Sequence, residues 1–305
     1  MRKTLLFLAF LVPLLFLGAW VLAHTKTEQE VTLSTHVYKM DSVPLSLDIR
    51  LPNRYNPTLP GLIFIHGGGF SAGTRNAEPV QSFLDSMASR GVISASISYA
   101  LTRKGRGFGC QVPVEEKREA VRHAGEDLID ALHWIQSQDN KWPSDWIAVG
   151  SSAGAEAALW SGYLSAPQAW SGIVSFSGAL DGQAKVPQYA PPLFAIHGAC
   201  DRVVPSGRSI HRQCRNDDVG AWELCGGLCW ADSLRAAGFS ATTWTECTGG
   251  HGVCNSAMMD KRVQDALFEW MTLLPEGKNE CWSNTQGTLA RNERTKCPQP
   301  CDSID

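Results

Sequence analysis

Apolar and polar residues change rhythm along this chain, and the changes mark out its elements. Residues 31–38 and 45–51 alternate on either side of Asp41-Ser42-Val43-Pro44, which predicts an antiparallel hairpin with one buried face. The alternation then stops. Residues 62–65, 92–97, 146–149, 173–176 and 193–196 are short, largely unbroken apolar runs, as expected of strands covered on both faces, and 242–245 reads as one more strand. Helices are predicted over 78–90, 114–137, 155–164, 231–237 and 258–274. In the longest of these Val114, Val121, Leu128, Ile129, Leu132 and Ile135 share one apolar face, and His123 and His133 read as surface or packing residues. Strand and helix alternate, so the fold class is α/β, with a mostly parallel sheet between helical layers and an N-terminal antiparallel hairpin.

The two ends break this pattern. Met1-Arg2-Lys3 precedes an apolar run from Leu5 to Leu22 that closes on Val21-Leu22-Ala23 before a polar segment beginning at His24. Positive flank, apolar centre and small residue predict a signal peptide over 1–23 and a protein exported to the periplasm or the medium. The alternative is an uncleaved membrane anchor, since the run approaches the length of a bilayer span. A catalytic domain over 24–274 follows, then a polar tail over 275–305 whose Cys281, Cys297 and Cys301 predict that it is pinned to the body.

Composition narrows the compartment and the partners. At 305 residues and 44% hydrophobic the chain can bury one sizeable core. A net charge of −3 offers no electrostatic footprint for nucleic acid. Ten cysteines, nine of them from Cys200 onward, predict disulfides that staple the loops of the second half. Cys225/Cys229 and Cys297/Cys301 lack the further ligands of a four-coordinate zinc site, so no metal and no cofactor is expected. The pairing of the cysteines and the oligomeric state are not legible at this level.

Candidate chemistry centres on Gly150-Ser151-Ser152-Ala153-Gly154, which joins the apolar run 146–149 to a small-residue helix. Strand, sharp turn and helix with a serine at the apex make a nucleophile elbow, with glycines where side chains would collide. A second match to the same pattern, Gly69-Phe70-Ser71-Ala72-Gly73, runs on into polar residues and Pro79, so Ser71 reads as a loop residue and Ser152 as the nucleophile. A serine needs a base, a carboxylate to orient that base and donors for the oxyanion. His251, in Gly249-Gly250-His251-Gly252, is the candidate base; Asp201, just past the run 193–196, is the candidate acid, with Asp181 its competitor and His197 read as structural. Gly67 and Gly68 of His66-Gly67-Gly68-Gly69, with the N–H of Ala153, are the expected oxyanion hole.

Taken together, His66-Gly67-Gly68-Gly69-Phe70, the elbow, Asp201 with Val204-Pro205, and Gly250-His251-Gly252 resemble the α/β-hydrolase superfamily. Within it the chain is most similar to small exported esterases of the feruloyl-esterase-like and carbohydrate-esterase group. The resemblance covers about residues 31–274 and implies a serine carboxylesterase that forms an acyl-enzyme on a small-molecule or carbohydrate ester. Too few residues precede the glycine motif for a large N-terminal helical cap. The alternatives are a peptidase or amidase on the same triad, and a catalytically silent binding protein. Residues 102–110 and 214–230 are the candidate substrate loops. Eleven tryptophans admit sugar stacking beside the commoner role in packing, and Lys104 and Arg106 read as solvated charges, with attraction of an acidic substrate as the alternative.

Overall fold

In the computed structural model of the protein, the described residues are 30–138, 142–274, 282–285, 288–291 and 297. The expected leader over 1–23 lies outside them. In chain order the elements are β1 (Val31–Met40), β2 (Pro44–Pro52), β3 (Gly61–Ile65), α1 (Glu78–Ala88), β4 (Ser94–Ile97), α2 (Val114–Gln136), β5 (Trp146–Ser151), α3 (Ala153–Trp160) and β6 (Gly172–Phe176). Then come β7 (Ala179–Asp181), β8 (Leu193–Gly198), β9 (Arg208–Ile210), β10 (Glu223–Gly226), α4 (Gly227–Ala236), β11 (Ala241–Glu246), α5 (Val253–Met259), α6 (Lys261–Leu273), β12 (Trp282–Thr285) and β13 (Thr288–Arg291).

The main sheet has the order β1-β2-β4-β3-β5-β6-β8-β11-β12-β13. It is parallel from β4 through β12, and antiparallel only where β2 joins β1 and β4 and where β13 joins β12. The unalternating runs are explained by two cores. Ile63, Ile65, Ala148, Ile173 and Ala195 face one core with buried residues of α2, α3 and α4. Leu62, Phe64, Val149, Val174, Phe194 and Ile196 face the other with α1, α5 and α6. Each strand therefore still alternates between faces, and both faces are dry.

Three local features depart from the sequence-based expectations. The last helix begins earlier than 258 and is broken, because Asp260 takes an extended backbone and its carboxylate accepts the N–H of Arg262, capping α6. A three-stranded sheet, β7-β10-β9, lies within the stretch read as loops; its strands are only three or four residues long, too short to show a period. The fourth predicted helix starts at Gly227, directly after β10. From the tail, β12 pairs in parallel with β11, and Cys297 is bonded to Cys247.

Phe83 on α1 is fully buried, with its ring 6.0 Å from Phe64 and 5.6 Å from Phe176. Phe83→Ala is expected to lower stability by about 3–5 kcal/mol, read as the shift in a urea unfolding curve, because it empties an aromatic site between helix and sheet.

Candidate active site

Ser152 stands between β5 and α3 with φ 51° and ψ −122°, a conformation L-residues rarely adopt. Its N–H donates to Phe176 O at 2.8 Å, tying the turn to the end of β6. The flanking glycines are sterically required. A Cβ on Gly150 would meet Gly154 O at 2.3 Å, and one on Gly154 would meet Ile65 O at 2.1 Å. The strain at the serine is thus fixed by the closeness of α3 to the ends of β3 and β5.

Loops from distant parts of the chain meet this turn. His251, on the loop between β11 and α5, brings Nε2 to 2.8 Å from Ser152 Oγ. Its Nδ1 lies 2.7 Å from Asp201 Oδ2. The other carboxylate oxygen of Asp201 accepts the N–H groups of Val203 and Val204 at 2.8 and 2.9 Å. Burial pushes the Asp201 carboxyl up, but hydrogen bonds from His197 and His251 and their charges outweigh it, so its pKa lies well below the usual carboxylate range. A carboxylate that stays ionised fixes the imidazole with Nδ1 protonated and Nε2 free to accept from the serine. The competitor Asp181 is engaged elsewhere, accepting from Arg118 Nε and Trp222 Nε1. Ser71 hydrogen-bonds Gly68 O in its own loop.

The glycine motif follows β3. His66 packs its ring on Tyr99 and places Nδ1 2.7 Å from Gly67 O, while burial lowers its pKa and keeps it neutral. Gly67 makes a hydrogen bond of its own. Its N–H donates to Ser151 Oγ at 3.2 Å, and a Cβ there would meet Ser151 O at 2.8 Å, so this residue packs the loop against the elbow. Gly68, at φ 118°, has its carbonyl turned to Ser71 N and Ala72 N. Among the described residues, neither the N–H of Gly68 nor that of Ala153, the first residue of α3, has a hydrogen-bond acceptor.

A cleft of about 670 Å³ opens over Ser152. Its walls come from the glycine loop, from Gly107 to Gly109, and from Val203, Arg212, His251 and Asn255.

The BD-FAE family model matches residues 47–185. A probable carboxylesterase of Arabidopsis thaliana is 29% identical over 134 residues, 43% of this chain; the match spans 38% of that relative's length. Among solved structures, a thermophilic esterase of Thermogutta terrifontis superposes with TM-score 0.55 at 20% identity, covering 83% of this chain and 94% of the esterase. Its butyrate-bound form matches at 19% identity and TM-score 0.55, covering 83% and 96% of the two chains. A form phosphorylated by paraoxon matches at 19% and 0.56, covering 80% and 94%. The chain has the α/β-hydrolase fold.

Two buried side chains support this site from outside its motifs. His197, fully buried, reaches both Val204 O at 3.0 Å and Asp201 Oδ2 at 3.5 Å, and so supports the turn that carries the acid. Glu156, one turn into α3, is buried with its Oε1 unpartnered. Burial, opposed by the charges of Arg212 and Lys117, raises its carboxyl from the ordinary 4.5 to about 8. A signal for both existed only in the spacing, one residue after the run 193–196 and four after Ser152.

Two outcomes test this geometry. Gly154→Ala is expected to slow covalent labelling of Ser152 by a fluorophosphonate about a hundredfold, because the elbow must move to admit the methyl group. The folded protein keeps a proton on Glu156 that the unfolded chain releases above about pH 4.5, so this group withdraws stability as pH rises to about 8 and no further beyond it. Glu156→Gln is expected to gain stability relative to the parent across that window, read as denaturation midpoints at its two ends.

Proposed function

We propose that this protein is a serine carboxylesterase acting on small acyl esters through an acyl-enzyme. The observation that carries the reading is the continuous chain Ser152 Oγ, His251, Asp201, at 2.8 and 2.7 Å, at the floor of an open cleft. His251 Nε2 takes the proton as Ser152 Oγ bonds to the ester carbon, and Asp201 stabilises the imidazolium that forms. The carbonyl oxygen becomes an oxyanion held by the N–H groups of Gly68 and Ala153, with the N-terminus of α3 adding its dipole. Collapse of the tetrahedral adduct expels the alcohol, which receives the proton from His251. Water then attacks the acyl-serine with His251 again as base, and the acid is released.

The solved Thermogutta terrifontis esterase is recorded with butyrate and with propionate bound, and acyl groups of that size suit the cleft above Ser152. Esters carried on carbohydrate fall within the same reading, since the open cleft leaves room for a bulky alcohol. The disulfides Cys110–Cys214, Cys225–Cys229 and Cys247–Cys297 support export to an oxidising compartment, with residues 1–23 as a cleaved leader, 24–274 as the catalytic domain and the rest as its tail.

The first test is turnover of p-nitrophenyl acetate and butyrate beside matched anilides. The parent is expected to cleave the esters, Ser152→Ala to fall to the uncatalysed background, and Asp201→Asn to lose about four orders of magnitude in kcat. Faster anilide than ester cleavage would overturn the assignment in favour of an amidase. Reduction of the disulfides is expected to lower kcat, because Cys247–Cys297 anchors the loop leading to His251 and Cys200, next to Asp201, is also disulfide-bonded.

A further inference from the structure

The cleft over Ser152 carries one residue that the triad and the oxyanion donors leave unexplained. Arg212 lines it and is, among the described lining residues, its single Lys, Arg, Asp or Glu. The side chain is exposed and makes no ion pair and no hydrogen bond among the described residues. An arginine facing a ligand cleft with its five donors unused is matched to an oxyanion, since the planar fork binds a carboxylate through two parallel N–H···O bonds.

The backbone around it is held in an unfavourable shape. Arg212 has φ 56° and ψ 20°, and Gln213 follows at φ 52°. Two successive non-glycine residues in the left-handed region are disfavoured, because Cβ crowds the following carbonyl oxygen. The neighbours hold them there. The N–H of Arg212 donates to Val203 O at 2.9 Å, which ties it to the turn carrying Asp201. His211 is buried, its N–H donates to Trp222 O, its ring lies 5.3 Å from that of Phe108, and its Nδ1 lies 3.3 Å from Lys117 Nζ. Cys214 is bonded to Cys110, and so the segment is clamped to the loop that contributes Gly107, Phe108 and Gly109 to the same cleft. Strain maintained by a disulfide, a buried histidine and a backbone hydrogen bond, and ending in an unpaired guanidinium at the cleft, marks a positioned side chain.

Nor is its charge neutralised from within. Of the carboxyls close by, Glu156 keeps its proton up to about pH 8. Asp201 is already satisfied by His251, Val203 N and Val204 N. Lys117, behind His211, adds a positive charge, although burial lowers its pKa to about 8.

We propose that Arg212 is a specificity-determining residue that pairs with a carboxylate borne by the substrate, so the preferred substrates are acidic esters. This rests on the esterase reading above and adds the class of substrate. The carboxylate sits either on the acyl group or on the alcohol, and one experiment separates these sources. Values of kcat/KM are measured for two matched pairs. Mono-p-nitrophenyl succinate against p-nitrophenyl butyrate places the charge on the acyl side; 4-acetoxybenzoate against its methyl ester places it on the alcohol side. Each is run on the parent, Arg212→Gln and Arg212→Lys, at low and at raised salt.

In the parent the charged member is expected to be favoured in one pair, and the pair that responds assigns the side. Arg212→Gln is expected to lower that charged-to-neutral ratio about tenfold to a hundredfold, mainly through KM, with Arg212→Lys retaining part of it and added salt eroding it. A purely structural role for Arg212 would lower both members of a pair alike and leave the ratio unmoved. Turnover by the parent with no charge preference in either pair, or with the same ratio in Arg212→Gln, overturns the assignment of Arg212. Absence of turnover on every neutral and charged ester overturns the esterase reading and this one with it.

Discussion

The structure depends on one close approach, that of Gly154 to the carboxyl end of β3. There is no room for a methyl group between Gly154 and Ile65 O, so α3 starts hard against the sheet and Ser152 is forced to positive φ at its tip. That contact has consequences in several directions. It aims Ser152 Oγ away from the sheet, leaves the N–H of Ala153 at the mouth of the helix, and draws the glycine loop after β3 down onto Ser151. Strain at the serine is sustained because three parallel strands, β3, β5 and β6, fix its surroundings and Phe176 O accepts its N–H. A turn this tight tolerates little adjustment, which makes its geometry a property of the whole sheet.

The other functional groups arrive on loops, and loops need a different constraint. Asp201 and His251 stand just beyond the carboxyl ends of neighbouring strands β8 and β11, which pair in parallel from Leu193 with Ala241 to Gly198 with Glu246. The register brings the two loops side by side, and the N–H of Cys200 donates to Gly249 O at 3.0 Å to close the gap. Disulfides extend this bracing outward: Cys247–Cys297 below the histidine loop and Cys110–Cys214 across the cleft. A cross-link between segments 104 residues apart chiefly limits the freedom of the unfolded chain, but here it also holds two cleft walls at a set distance.

Legibility in the sequence followed the range of the interactions involved. Strands buried on both faces and the amphipathic α2 were readable because their pattern is local and repeats. The elbow was readable because steric exclusion at Gly150 and Gly154 leaves a fixed residue signature, and Ser152, Asp201 and His251 each come after a strand that the sequence predicts, β5, β8 and β11. Where the expectation failed, the cause was a contact between distant residues or an element too short to have a period. The different engagement of Gly67 and Gly68 was not readable either, since it lies in a hydrogen bond to Ser151 Oγ that only the folded elbow supplies. The break at Asp260 had a local signal, an aspartate two residues before Arg262, masked by the apolar pattern that continues through both helices. Arg212 gave no signal, because left-handed backbone at an arginine is imposed by Cys214, His211 and Val203 together and by no local preference.

Two buried carboxyls near Ser152 show how environment sets like groups apart. Asp201 and Glu156 repel each other electrostatically, and each is withdrawn from water. Asp201 accepts two backbone N–H groups and stands within reach of two histidines, so its charge is paid for locally and it remains ionised. Glu156 has an unpartnered oxygen and only remote positive charges, so it stays protonated to about pH 8. The ionised one, Asp201, lies against Nδ1 of His251 and so fixes its tautomer, leaving the lone pair at Nε2 towards Ser152 Oγ.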